Sequence, residues 1–286
     1  MKTVFLSDIH VDINRDYPVA QELARFAKEQ EARLVVIAGD VSENQQETLD
    51  TLNQIEQLSG AKVLFVPGNH DLWGPKDDPT QIEAIYDRYC QDEHCLCGRD
   101  FVFEDKVVLG DVGWYDYSFG SGRYSFEEFE KMSLAGRTWQ DSLRNAWTRD
   151  NQGRSQWMLS RLEARMAAYP DKKLVMVTHM LPIKEFTVPQ EMANWSYFNA
   201  FLGSRKLGEL YTRYPVEVAV CGHVHYRKTL EKEGIPMMEA DVTMIPQTWV
   251  ELTDENDIKY MNRLLDLLDD DDDVQAVYHN WDTDER

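Results

Sequence analysis

The sequence is short of three things, and each shortage excludes something. It holds four cysteines (Cys90, Cys95, Cys97 and Cys221) in 286 residues, too few for a disulfide framework in a chain of this length. Cys95 and Cys97 lack a second Cys/His pair at zinc-site spacing and read as structural thiols. No run approaches the roughly 20 apolar residues of a membrane span. The opening "MKTVFLSD" is interrupted by Ser7 and Asp8 too early for a signal peptide. Positive charge is also scarce: 30 Lys/Arg stand against 51 Asp/Glu, a net charge of −21. Residues 250–286 alone carry 13 Asp/Glu and 3 Lys/Arg. Such a chain repels nucleic-acid backbones, which makes nucleic-acid binding a poor reading. The expectation is a cytoplasmic, reduced protein that does not enter a membrane.

What is present is an α/β pattern. Hydrophobic residues at 43% and charged ones at 28% suit a globular core. The runs "TVFLSD" (3–8), "RLVVIAGD" (33–40) and "KVLFVPGN" (62–69) are near-continuously apolar, as parallel strands buried on both faces are. Residues 16–31 and 45–58 between them repeat apolar side chains at helical spacing, giving βαβαβ. Residues 110–150, rich in Gly and aromatics, break the pattern. Then come a helical region (about 138–168), a strand (173–179), a short helix (204–213), a strand (216–223) and a further stretch "YRKTLEK" (226–232).

Polar residues of one chemical type close each apolar run. Asp8 and His10 end the first, Asp40 the second, Asn69 and His70 the third, His179 the fourth, and His223 with His225 the fifth. In an open parallel sheet, functional groups gather beyond the carboxyl ends of the strands. Taken singly, Asp40 reads as a helix cap, "GN" (68–69) as a turn and His179 as a structural histidine. Together they form a donor set too large for one metal ion and suited to two. Imidazole, carboxylate and one carboxamide, without thiolate, fit divalent Mn, Fe or Zn. Two ions about 3.5–4 Å apart clamp a phosphoryl group and acidify a water into a nucleophile.

The motifs "SDIH" (7–10), "GDV" (39–41), "GNHD" (68–71), "TH" (178–179) and "GHVH" (222–225) resemble, in order and spacing, the calcineurin-like metallophosphoesterase family over residues 1–235. The resemblance implies two β-sheets sandwiched and flanked by helices in four layers (α/β/β/α), with a two-metal site at one edge. It implies that Asp8, His10 and His225 hold one metal, that Asn69, His179 and His223 hold the other, and that Asp40 bridges. Mn is the favoured ion. His70 would be the catalytic acid at the leaving oxygen, oriented by Asp71. The stretch 113–142 with "FNAFLGS" (198–204) resembles a bacterial subgroup of that family. Serine/threonine protein phosphatases of the family carry Asp-Arg-Gly shortly after the bridging aspartate, whereas Asp40 is followed by "VSENQ", with no arginine. The implied substrate is therefore a small phosphodiester or phosphomonoester. Trp73, Trp114, Tyr115 and Trp139 could stack a base or sugar, with core packing the weightier role.

Residues 239–286 resemble the end of the YebC/PmpR family, whose members are associated with transcriptional regulation and translation. "TMIPQT", "LLDLLDDDDDVQ" and "VYHN" carry this likeness. The expected elements are a strand (247–252), a helix (254–268) capped by Asp254 or Thr253, and a strand (274–280), an incomplete βαβ domain. The junction lies near Gly234–Glu239, dividing the chain into a catalytic domain (1–235) and an acidic C-terminal segment (236–286). His279 and Asp269–Asp273 read as a solvated acidic loop rather than a metal site. The leading expectation is a metal-dependent phosphoesterase. The alternatives are a YebC-like regulatory or binding protein, or a catalytically disabled chimera.

Overall fold

A computed structural model describes residues 2–225, apart from 191 and 193, and residues 254, 256–261 and 263. It falls into two units, Met1–Val224 and His225–Arg286. In the first, β1 (Thr3–Leu6), β2 (Leu34–Ala38) and β3 (Lys62–Val66) pair in parallel in the order β1-β2-β3. Val36 lies between Phe5 and Leu64 in that register. α1 (Val19–Glu29) and α2 (Gln45–Ser59) supply the crossovers. Every residue of β2 is buried, as its unbroken apolar run requires, and each such Val or Ile adds about 1.5–3 kcal/mol.

The chain continues through α3 (Ile82–Gln91), β4 (Phe101–Phe103) and β5 (Lys106–Asp111) into the 110–150 excursion. That excursion contains α4 (Phe126–Glu130), the small hairpin β6 (Ser133–Leu134) and β7 (Arg137–Thr138), and α5 (Asp141–Arg144). After it come α6 (Asn151–Ala167), β8 (Lys173–Thr178), α7 (Trp195–Phe198), α8 (Arg205–Tyr211) and β9 (Val216–Val220). The second sheet runs β4-β5-β8-β9, with β4 antiparallel and the rest parallel.

One core cluster runs from Ala27 of α1 and Ile55 of α2 through β2 and β3 to Val108 and Val177 of the second sheet. On the outer face of that sheet, Val107, Leu109, Leu174 and Met176 pack against Leu159, Leu162 and Met166 of α6 and Leu207 and Leu210 of α8. The four-layer α/β/β/α sandwich is therefore the fold.

Two expectations shift. The strands end at Leu6, Ala38, Val66, Thr178 and Val220, before the polar groups are reached, which leaves those groups on loops. The helical region expected over about 138–168 holds two helices, because Asp150 turns extended (φ −62°, ψ 167°) and accepts a hydrogen bond from Gly153 N to start α6 afresh. All four cysteines are unbridged. No helix among the described residues is long and apolar enough to cross a membrane.

In the second unit, Asp254 Oδ1 accepts from Asn256 N at 2.8 Å and Asp257 N at 3.2 Å, so the expected cap is Asp254. The expected stretches 226–232, 247–252 and 274–280, the junction, Asp269–Asp273 and His279 lie outside the described residues.

Candidate metal centre

Asp40 follows the last residue of β2 by two positions. Why does it not cap the next helix? Asn44 does so instead, accepting from Gln46 N and Glu47 N. Asp40 is left to face the carboxyl end of the sheet, and it is 1% exposed. Its Oδ2 lies 3.2 Å from His179 Nε2 and 3.9 Å from His10 Nε2, while its Oδ1 accepts from His70 N at 3.0 Å. Asp40, His179 and His223 form one group of donors within 4.8 Å of one another, and His10, Asp40 and His70 form another. Asp40 belongs to both.

The backbone is bent to achieve this. Asp8 (φ 54°), His10 (φ 39°), Asp40 (φ 56°) and His223 (φ 73°) all stand in the left-handed region. Such conformations cost on the order of 1–3 kcal/mol each and persist only where surrounding contacts enforce them. Two glycines make the approach feasible. A Cβ on Gly68 would sit 2.0 Å from Asp40 Oδ1, and one on Gly39 (φ 90°) would sit 2.5 Å from His179 Nδ1.

The donor chemistry tests whether a cation fits. His179 Nδ1 lies 2.8 Å from the Ala38 carbonyl oxygen, so it carries the proton and leaves Nε2 with its lone pair. Around that Nε2 converge Asn69 Oδ1 at 3.0 Å, His223 Nδ1 at 3.1 Å and Asp40 Oδ2 at 3.2 Å. His223 Nε2 faces the Phe201 carbonyl oxygen at 3.3 Å, which turns its Nδ1 into the acceptor as well. Convergent lone pairs at this distance repel unless a positive charge sits among them. They fit a divalent ion with nitrogen and oxygen ligands. Burial opposes charge on His179, but Asp40 beside it outweighs burial and lifts the imidazole to about 9. Burial likewise opposes charge on Asp40, yet His179, His70 and His10 hold its carboxyl well below the usual range.

Asp8 is tied to the same edge, its two carboxylate oxygens 2.9 and 3.2 Å from His223 N. His225 is exposed and opens the second unit.

The structure gives Asp71 a task other than orienting His70. Its Oδ2 accepts from Asp40 N at 2.7 Å and Gly68 N at 2.8 Å; its Oδ1 accepts from Val41 N at 3.0 Å and Ser42 N at 3.1 Å, with Thr48 Oγ1 at 3.1 Å. Asp71 therefore clamps the loop after β2 to the loop after β3, beneath the ligands. Burial and the Asp40 charge push its carboxyl up to about 7 against the pull of the Gly68 and Ser42 amides. The His70 ring stacks on Trp73, with centroids 3.8 Å apart, and meets the His10 ring edge-on at 5.0 Å.

Of the four aromatics, Trp114 and Tyr115 pack in the core, while Trp73 and Trp139 border the centre. Trp114 and Tyr115 are buried and stacked on one another. Trp73 carries His70 and has the Arg144 guanidinium 4.7 Å from its ring centroid. Trp139 packs along Phe198 and Phe201, with the His223 ring edge-on at 5.8 Å.

One residue that no motif singles out stands at the centre. Asp141, at the start of α5 and 1% exposed, accepts at Oδ1 from Asn69 Nδ2 (2.9 Å), Trp73 Nε1 (2.7 Å) and Asn145 Nδ2 (3.2 Å). Its Oδ2 accepts from Trp139 Nε1 at 2.9 Å. Burial pushes its pKa up, and the Trp73, Asn69 and Trp139 donors pull against that. Its only sequence signal is a carboxylate beside a tryptophan in "TWQD" (138–141), within the stretch that broke the α/β pattern.

Comparisons with known proteins agree with this geometry. Residues 1–227 match the calcineurin-like phosphoesterase family, and residues 217–281 match the TACO1/YebC second and third domain. The [acyl-carrier-protein] phosphodiesterase PptH of Mycobacterium tuberculosis is 27% identical over 266 residues, covering 85% of this chain and 78% of its own. The crystal structure of phosphopantetheinyl hydrolase (PptH) from M. tuberculosis shares the fold, with a TM-score of 0.67 at 22% identity over 82% of this chain and 86% of that one. The tail is 77% identical over 56 residues to a probable transcriptional regulatory protein of Lachnoclostridium phytofermentans, covering 20% of this chain. The chain spans only 23% of that regulator's length. With the family match extending over residues 1–227, the chain belongs to the calcineurin-like phosphoesterases.

Proposed function

We propose that the chain hydrolyses a small phosphodiester or phosphomonoester at a two-metal centre. Asp8, His10 and His225 would hold one divalent ion, Asn69, His179 and His223 the other, with Asp40 between them. The observation that carries this reading is the membership of Asp40 in two separate donor groups. Manganese is the favoured ion, residues 1–235 the catalytic domain, and the cytoplasm the setting; nucleic acid is not a partner of that domain. The absence of an arginine after Asp40 turns the choice away from phosphoproteins. The name of the mycobacterial relative supports a diester, and one with a phosphopantetheine-like arm is the first natural substrate to try.

Two bound ions would supply Lewis acidity toward the phosphoryl oxygens and an activated water. The chain's own residues prepare for this. His179, held through Nδ1 by the Ala38 carbonyl, keeps Nε2 directed at the centre. His70, half-buried and braced on Trp73, would deliver a proton to the leaving oxygen. Asp71 is a positioning residue that holds the Asp40 and Gly68 loops in register.

Chelator-stripped full chain should be inactive on bis-p-nitrophenyl phosphate and regain turnover when Mn²⁺ is returned. Folded protein that stays inactive with every divalent ion would sink the proposal. It would favour the second reading, a YebC-like regulatory protein, which rests on the 77% identity of the tail.

A further inference from the structure

Asn69 has a problem that its own loop does not solve. A carboxamide has an acceptor end and a donor end of nearly the same shape, and only the oxygen can ligate a cation. If the amide turned over, its NH₂ would face His179 Nε2, 3.0 Å from the present Oδ1. That arrangement suits a hydrogen bond within the protein and removes a metal ligand. Something must fix the amide from behind.

The structure assigns that role to Asp141: it is a positioning residue that fixes the Asn69 carboxamide with its oxygen toward the metal centre, and with the same carboxylate it sets the platform under His70. A carboxylate only accepts, so the Asn69 atom 2.9 Å from Asp141 Oδ1 must be the nitrogen. The same Oδ1 holds Trp73 Nε1 at 2.7 Å, and the Trp73 ring carries His70 at 3.8 Å. Through Oδ2 it holds Trp139 Nε1 at 2.9 Å, and the Trp139 ring meets the His223 ring edge-on at 5.8 Å. Asp141 thus reaches a carboxamide ligand directly, and the acid and an imidazole ligand at one remove each. It does so from 72 residues beyond Asn69 and 68 beyond Trp73. A carboxylate buried only to fill space would not collect three N–H donors from these groups, beside a fourth from Asn145. Partners of this kind behind a ligand govern both its orientation and its affinity for the ion.

The inference rests on the two-metal reading, and its test separates the two. Mn²⁺ is titrated calorimetrically into chelator-stripped full chain and into Asp141→Asn, with near-ultraviolet dichroism confirming the fold. The wild type should bind two ions. In Asp141→Asn one site should weaken by about 10–100-fold while the other keeps its affinity. Unchanged affinity at both sites in the folded variant overturns the role of Asp141 and leaves the two-metal reading standing. A wild type that binds fewer than two ions overturns both. Asn69→Asp tests the same contact without altering Asp141. A carboxylate is ordinarily the better Mn²⁺ ligand. Here it would set two carboxylates against each other, so one site should weaken by at least about tenfold. Equal or tighter binding in Asn69→Asp sinks the assignment.

Discussion

Asp71→Asn separates two accounts of a residue that the family resemblance places beside the catalytic acid. If Asp71 orients His70, its loss should slow turnover and leave stability alone. If it clamps loops, stability must fall as well. The Oδ2 atom serves Asp40 N and Gly68 N, while Oδ1 serves Val41 N and Ser42 N with Thr48 Oγ1 close by. Asparagine has one accepting oxygen, so its NH₂ must face two backbone N–H groups whichever way it turns. The less costly orientation keeps oxygen toward Val41 and Ser42 and strands the amides of Asp40 and Gly68. Each buried, unsatisfied donor costs about 1–3 kcal/mol, giving roughly 2–6 kcal/mol in all. At about 2–4 °C per kcal/mol for a unit of this size, the melting midpoint should drop by on the order of 10 °C. The two stranded amides sit in the loops that carry Asp40 and Asn69, so Mn²⁺ affinity should fall in parallel. The assay is a thermal melt of apo and Mn²⁺-loaded protein beside the wild type. A variant that melts with the wild type yet turns over slowly would refute the clamp and restore the orienting role.

The other predictions concern the centre itself. Asp40→Asn should lose high-affinity binding of both ions by calorimetry and nearly all phosphodiesterase activity; near-normal turnover would overturn the site. His70→Ala should keep two Mn²⁺ per chain and the wild-type melting point while turnover falls by about 10²–10⁴. Loss of an ion instead would make His70 a ligand, in keeping with its place in the group with His10 and Asp40. Gly68→Ala forces a Cβ to 2.0 Å from Asp40 Oδ1 and 2.6 Å from Asp40 N, so it should abolish Mn²⁺ binding; retention of both ions would mean the loop yields at little cost.

What was legible in the sequence was what local chemistry determines. A strand buried on both faces must be apolar throughout, so β2 and β3 show themselves, and the polar groups just beyond their ends stand out against them. Asp40 could be read as a ligand rather than a cap because donors of the same kind close the other apolar runs; in the structure Asn44 takes the capping position. The division of the helical region over 138–168 was not legible: apolar spacing persists through Leu143 and Trp147, but Asp150 takes an extended conformation and begins a new helix. Asp71 and Asp141 were hidden more deeply. Each is an ordinary acidic residue whose role comes from donors that the fold delivers: the backbone of residues 40–42 about 30 positions away for Asp71, and the side chains of Asn69 and Trp73 about 70 positions away for Asp141. Ligands are written into short motifs because their backbone must be bent locally, as the left-handed Asp8, His10, Asp40 and His223 show. The residues that hold ligands in place need only be acceptors arriving from the right direction, so their identity follows from the packing of the two sheets and the 110–150 excursion. A substitution at Asp141 would therefore leave every motif of the family intact while altering the centre those motifs build.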